Sequence, residues 1–319
     1  MRMMSIIFMT ISLLFSQPVL GIKSKALLQV DAGGQKVNDS GVDPQLNLSK
    51  ARLKLKKKKN KYWKFTLDVG IEEKPEVKKA YVRYNHNDRL NIDFGRLKPM
   101  IGQNASRSSH TLISQDRAPG FQSQERNILG LSMLSQVGEQ SFVSVATGKV
   151  ADENQPQAWI GSTRLTYFFL EKKDETLIHL GGSFGVIGSQ DQRKFEIIDR
   201  NYSQIYDLKS LKIDAKRQSL VNGELMVRLF RWLVEYEWGL RRYSELDVST
   251  SAQSKAELST SQISLSYVLI GGAREYHSKK GVMKKFSTKK EQLSLELYLG
   301  YDRSRFNLNE ADGWLERAW

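Results

Sequence analysis

A chain of 319 residues, 40% of them hydrophobic, is long enough to bury a large core or to close one large barrel. Its formal net charge of +14 suits a phosphate-binding surface, a charged lumen or a lipid headgroup layer, while the absence of cysteine excludes disulfides and thiolate metal sites. The histidines, His86, His110, His179 and His277, do not stand at metal-ligand spacing, so no metal or other cofactor is expected.

In chain order, residues 1–21 read as a secretory signal peptide. Arg2 supplies the positive end, Ile6 to Phe15 form an apolar stretch broken only by Thr10 and Ser12, and Val19-Leu20-Gly21 offers residues a signal peptidase accepts. That stretch is too short for a transmembrane helix; the competing reading is an N-terminal anchor helix. Cleavage after Gly21 removes one charge, Arg2, and leaves 14 − 1 = +13. An exported chain meets no nucleic acid, so the basic residues of the remaining unit, 22–319, must serve a surface, a lumen or lipid.

From Ala26 onward, period two dominates. Trp63, Phe65, Leu67, Val69 and Ile71 alternate with Lys64, Thr66, Asp68 and Gly70. Trp232, Val234, Tyr236, Trp238 and Leu240 alternate with Arg231, Glu235, Glu237 and Arg241, Leu233 being the one break. Leu293, Leu295, Leu297, Leu299 and Tyr301 continue the pattern. Alternation over about ten residues predicts strands of the length a tilted bilayer crossing requires, longer than is usual in soluble proteins. About thirteen such segments are expected, beginning near Ala26, Leu48, Trp63, Val77, Leu90, Ile128, Phe142, Trp159, Leu177, Ser219, Arg231, Ala256 and Gln292.

Their connections alternate in length. Gly33 to Pro44, Lys98 to Arg126, Ala151 to Gln157, Ser189 to Gln218 and Ser244 to Lys255 are long; the others are short apart from Gly271 to Lys290, and the third, Glu72 to Glu76, is the one odd-numbered connection that is not long. Short periplasmic turns opposite longer outer loops are the arrangement of an outer-membrane barrel. Gly271 to Lys290 breaks the rule, because its place in the order calls for a short turn. The expected fold class is therefore all-β, a transmembrane antiparallel β-barrel.

One face of each strand then meets lipid and the other lines the lumen. Lys50, Arg52, Lys54 and Lys56 alternate with Ala51, Leu53 and Leu55, so all four cations fall on the face that lipid refuses, and in a wet lumen they form a track that concentrates anions. The same rule places Lys64, Lys79, Arg83, Arg164, Arg228, Arg231 and Arg241 inside, with Asp68, Asp93, Glu224, Glu235, Glu237 and Glu296 among them. Lys57 to Lys59 continue into a turn, where charge also deters edge pairing.

Several segments resemble a known family. Leu28-Gln29-Val30-Asp31, Ser49-Lys50-Ala51-Arg52-Leu53, Tyr62-Trp63-Lys64-Phe65, Val77 to Tyr84, Phe94-Gly95-Arg96-Leu97-Lys98-Pro99, Gln115-Asp116-Arg117 and Arg126 to Leu131 occur in an order similar to that of the phosphate-selective porins O and P. The resemblance implies a homotrimer of sixteen-stranded barrels in the outer membrane of a Gram-negative cell, with the loop Lys98 to Arg126 folded inward as a basic constriction. Carried onto this chain, that constriction holds Arg96, Lys98, Arg107, His110, Arg117 and Arg126. Two departures matter. Ser108-Ser109-His110 stands where phosphate-selective members carry Ser-Ser-Lys, which puts phosphate selectivity in question and leaves a general anion preference. About three family strands are also missing from the thirteen, so either the chain is C-terminally truncated or the barrel closes differently.

The expected function is a porin giving passive diffusion of anions, phosphate-like or general, through a basic lumen. The alternatives are a non-conducting outer-membrane barrel or barrel fragment with a structural or adhesive role, and a soluble β-sandwich. No enzyme is expected: Ser108 and Ser109 beside His110 are sequence neighbours, not a triad, and no nucleophile elbow is present.

Overall fold

The computed structural model describes residues 5–15, 18–19, 22–36, 42–71, 75–102, 121, 127–151, 156–171, 176–200, 207–246, 255–270, 275–277, 281–283, 295–308 and 311–318. The strands are β1 (Ser5–Phe15), β2 (Pro18–Val19), β3 (Ile22–Lys36), β4 (Val42–Lys58), β5 (Trp63–Ile71), β6 (Pro75–Asn85), β7 (Leu90–Leu97), β8 (Ile128–Val137) and β9 (Ser141–Val150). They continue with β10 (Ala158–Glu171), β11 (Thr176–Arg200), β12 (Asp207–Leu229), β13 (Trp232–Leu246), β14 (Lys255–Ile270), β15 (Tyr276–His277), β16 (Val282–Met283), β17 (Leu295–Leu308) and β18 (Ala311–Ala318). The thirteen segments expected from alternation correspond to β3–β14 and β17.

All strands except the β15–β16 hairpin join one 16-stranded sheet, in which neighbours in sequence pair antiparallel from β3 to β14, then to β17 and β18. Closing such a sheet satisfies every backbone polar group inside lipid, which is why only a barrel can cross a membrane with strands. The short turns have a local cause. Asn60 Oδ1 accepts hydrogen bonds from the Tyr62 and Trp63 amides at 2.9 Å, and Asn87 Oδ1 does the same for Arg89 and Leu90 at 2.8 Å.

Burial is inverted relative to a soluble sheet. On β10, Trp159, Leu165, Tyr167 and Phe169 are exposed while Ser162, Arg164 and Thr166 between them are buried. On β13 the row Leu233, Glu235, Glu237, Arg241 is buried and the row Trp232, Val234, Tyr236, Trp238 faces out. Apolar outside and polar inside is the arrangement lipid dictates. At the short-turn end, Trp63 packs on Tyr84 at 4.9 Å and Trp232 on Tyr267 at 4.6 Å between ring centroids, where an aromatic girdle belongs.

Besides Gly33 to Pro44, which is mostly strand because the β3–β4 ladder runs on to Lys36↔Val42, the structure departs from the expected connections in three places. Ser189 to Gln218 is not a loop, because the β11–β12 ladder resumes after a register shift and runs from Arg193↔Ala215 to Arg200↔Asp207. Phe195, Ile213 and Ala215 bury their side chains in that extension, which holds it together beyond the expected strand ends. The chain also does not stop after the thirteenth segment, since β18 turns back along β17 from Leu308↔Ala311 to Tyr301↔Ala318 and ends the strand order. Third, the overlong Gly271–Lys290 connection carries β15 and β16, and these lie inside the barrel.

Candidate functional site

The site is the lumen, and its two walls differ. The inward rows of β4, β5 and β6 face one another through their ladders: Lys54↔Asp68, Lys56↔Thr66, Lys64↔Arg83 and Asp68↔Lys79. Because directly opposed residues share a face, Lys54, Lys56, Lys64, Lys79 and Arg83 stand on one wall with Asp68, and Asp93 joins them through Arg83↔Asp93. Arg52 grips Asp68 with two hydrogen bonds of 2.5 and 2.9 Å, and Lys54 Nζ lies 3.5 Å from the same carboxylate. Arg83 grips Asp93 with two of 2.6 Å. Asp68 is buried beneath its cations, whereas the side chains of Arg52 and Lys54 remain 30% and 34% accessible.

The opposite wall, β8 to β14, is covered. Its inward polar groups, Ser132, Ser144, Arg164, Glu224, Glu237 and Gln262 among them, are all buried. Among the described residues, two segments cover it. From the long-loop end, Met100, Ile101 and Gly102 turn inward after β7; the Gly102 amide donates to Ser183 Oγ at 2.9 Å, and a side chain at Gly102 would collide with Glu237 and Asn222. Ile101 joins the buried cluster of Leu97, Ile128, Ile160, Ile187 and Leu220, and Phe121 lies against Gly239. From the short-turn end, the β15–β16 hairpin places Met283 among Leu134, Phe142, Phe168, Leu177, Met226 and Leu233. Met100 packs against this second cluster, so the two segments reach the same mid-lumen region.

A buried polar group sits between the clusters. Arg164 on β10 grips Glu224 on β12 with two hydrogen bonds of 2.7 Å. Gly181, the β11 residue between them, has no side chain, and a Cβ there would strike the Glu224 carboxylate stem at 2.6 to 2.8 Å. His179 Nε2 lies 3.4 Å from Glu224, and its Nδ1 lies 2.6 Å from the Tyr276 hydroxyl on β15. Arg164 also donates to the Gly281 carbonyl at 3.0 Å.

Of the expected pathway residues, Arg52, Lys54, Lys56 and Arg83 come together on the accessible wall. Lys50 lies on β4 opposite Gln29, with its side chain outside the described residues. Lys98 is half-buried between buried Leu97 and Pro99, where the chain turns inward. Arg96 departs from the expectation: its ladder partners are Ala80 and exposed Leu129, on the row that carries exposed Phe94, and it ion-pairs Glu76 at 3.4 Å. Period two, counted from buried Leu97, places it on the outer row. Arg107, His110, Arg117 and Arg126 lie outside the described residues.

The Arg164–Glu224–His179–Tyr276 group was not expected as a unit. Arg164 and Glu224 were legible as inward residues, but their pairing depends on a register set across β11. Leu233, the break in the β13 alternation, was its visible sign, because an apolar inward residue needs a lumenal partner.

Comparison with known proteins agrees with this architecture. The chain is similar to in-vitro-folded OmpT, an outer membrane protein of Vibrio cholerae, with a TM-score of 0.54 and 13% identity over 93% of this chain and 80% of that one. It is similar to the trimer form of OmpT, at TM-score 0.56 and 12% identity over 93% and 81%, and to a loop L8 deletion mutant, at 0.55 and 13% over 93% and 87%. At such identity the likeness is one of fold, that of an outer-membrane barrel. No curated protein sequence matches the chain significantly. The profile of the phosphate-selective porins O and P matches residues 22–315, almost the whole chain, which therefore belongs to that family of outer-membrane porins.

Proposed function

We propose that this porin passes small inorganic anions by passive diffusion along an off-centre path against the β4–β6 wall. The observation that carries the reading is the contrast between the walls: β8–β14 is covered, while the basic wall stays partly accessible. On that wall Asp68, Asp93 and, at its edge, Glu76 are the described carboxylates set against Arg52, Lys54, Lys56, Lys64, Lys79 and Arg83, so cations outnumber anions. The excess of positive over negative charge among the described residues of that wall sets the sign of the field beside it. A field of that kind attracts anions without a closed binding site from which they could not leave. A general anion preference suits the replacement of the family lysine by His110 better than a phosphate site does.

Reversal potential under a potassium chloride gradient in planar bilayers tests the reading. Anion preference in the wild type, reduced or reversed in Lys50→Glu/Arg52→Glu/Lys54→Glu, supports it. Cation preference in the wild type, or an unshifted triple variant, contradicts it. A second reading, a non-conducting barrel with a structural role, is favoured by the filled β8–β14 side; a folded protein that passes no current would establish it. The chain carries no catalytic role in either reading.

Residues 1–21 are proposed to be removed on export, supported by the apolar Ile6–Phe15 stretch behind Arg2 and by a family match that starts at residue 22; β1 and β2 pair with β3 in this structure, so removal leaves β3 as the first strand of the sheet. A homotrimer embedded in outer-membrane lipid is proposed from the family, and chemical cross-linking tests it.

A further inference from the structure

The β14–β17 connection should be a short turn, yet it folds back into the barrel. Leu134, Phe142, Phe168, Leu177, Met226 and Leu233 all point inward near the short-turn end, where a wet lumen would call for polar side chains. Their burial is completed by Met283, which is fully buried, and by Tyr276, whose ring lies 5.3 Å from that of Phe168. Gly281 closes the hairpin with φ of 58°, and a Cβ there would press on His179, Thr166 and Arg164 at 3.1 to 3.3 Å. Glycine suits both the backbone angle and the tight space.

We propose that the buried Arg164–Glu224–His179 group is a latch that holds the β15–β16 hairpin in the lumen, and that undocking of this hairpin widens the pore. Among the described residues the latch touches the hairpin through the Gly281 carbonyl on Arg164 and the Tyr276 hydroxyl on His179. Its chemistry makes docking reversible. A buried ion pair costs desolvation that offsets much of its attraction, and when the hairpin leaves, Arg164 and Glu224 regain water while still holding each other. Docking is held by the apolar contacts of Met283 and Tyr276 together with these hydrogen bonds. Arg164, Glu224 and His179 are positioning residues, because they set the bore through the hairpin and need not touch the permeating ion.

The conductance part rests on the reading of the chain as a conducting porin, so the test carries a second readout. Hydrogen exchange of residues 275–283 is measured in the refolded full-length barrel, beside single-channel conductance in planar bilayers. Tyr276→Phe keeps the ring and removes one hydrogen bond, and is expected to speed exchange roughly five-fold. Glu224→Gln strands Arg164 and is expected to speed it by on the order of 100-fold. Both variants are expected to raise the mean conductance, and replacing residues 271–294 with a turn of about four residues to raise it most. Unchanged exchange in Tyr276→Phe, whose fold is not at risk, overturns the latch. A turn replacement that conducts no better than the wild type overturns the claim about the bore, and one that is silent overturns the porin reading with it. A silent wild type beside a conducting turn replacement supports the latch while contradicting an open resting pore.

Discussion

Leu165 offers the sharpest test of which face meets lipid. It stands mid-way along β10, 56% exposed, between Arg164 and Thr166, which are each 3% exposed. If the outer row faces hydrocarbon, Leu165→Arg puts a cation at the depth where a barrel tolerates it least. The cost there is about 2–4 kcal/mol, which lowers the folding equilibrium constant roughly 30- to 700-fold. Trp159→Arg is the depth control. Trp159 is 58% exposed near the long-loop end of the same strand, with Lys149 already 5.5 Å from its ring, so the cation there reaches the headgroup layer. Its expected cost is about 0–1 kcal/mol, beyond the loss of the ring itself. The assay is a urea titration of folding into lipid vesicles, read by gel mobility and tryptophan fluorescence. Equal stability of wild type and Leu165→Arg, or a larger loss in Trp159→Arg, would refute the assignment of faces.

Asp68→Asn removes the carboxylate that Arg52 and Lys54 share, so the reversal potential is expected to move further toward the chloride equilibrium value; movement the other way counts against the wall's role. Because Arg52 is 30% accessible, water takes up part of the lost interaction, and the stability change should be modest, about 1 kcal/mol in a urea titration. Met226→Ala empties a fully buried place in the cluster that receives Met283, and is expected to cost about 2–5 kcal/mol in the same assay. Mass spectrometry of the protein recovered from outer membranes is expected to find Ile22 as the first residue; a chain retaining Ser5–Phe15 contradicts the signal-peptide proposal.

Strand identity was the most legible part of the fold, because lipid on one side and water on the other impose period two directly on the sequence. Trp63 to Ile71 and Trp232 to Leu240 show it. Strand length past the bilayer was less legible: Phe195 pairs across from Ile213 only after a register shift, and such a shift breaks the alternation from which a strand is read. The basic wall was legible as a row of inward cations, but not as ion pairs, since the Arg52–Asp68 and Arg83–Asp93 contacts need the strand register. Arg96 was misplaced because a family motif outweighed its parity with exposed Phe94. The lumenal hairpin left two marks, an overlong twelfth connection and an apolar Leu233 on an inward row, and neither says alone that one explains the other.

The central claim is that ions pass along the β4–β6 wall and not along β8–β14. Because the chain contains no cysteine, a single introduced thiol reports its own exposure. Lys54→Cys and Ser264→Cys place one on each wall, at a side chain that is 34% accessible and at a residue only 6% exposed. The measurement is single-channel current before and after addition of a negatively charged thiosulfonate reagent. The account predicts that Lys54→Cys reacts from the aqueous phase and loses current, while Ser264→Cys keeps its current. Block at Ser264→Cys with none at Lys54→Cys would contradict it.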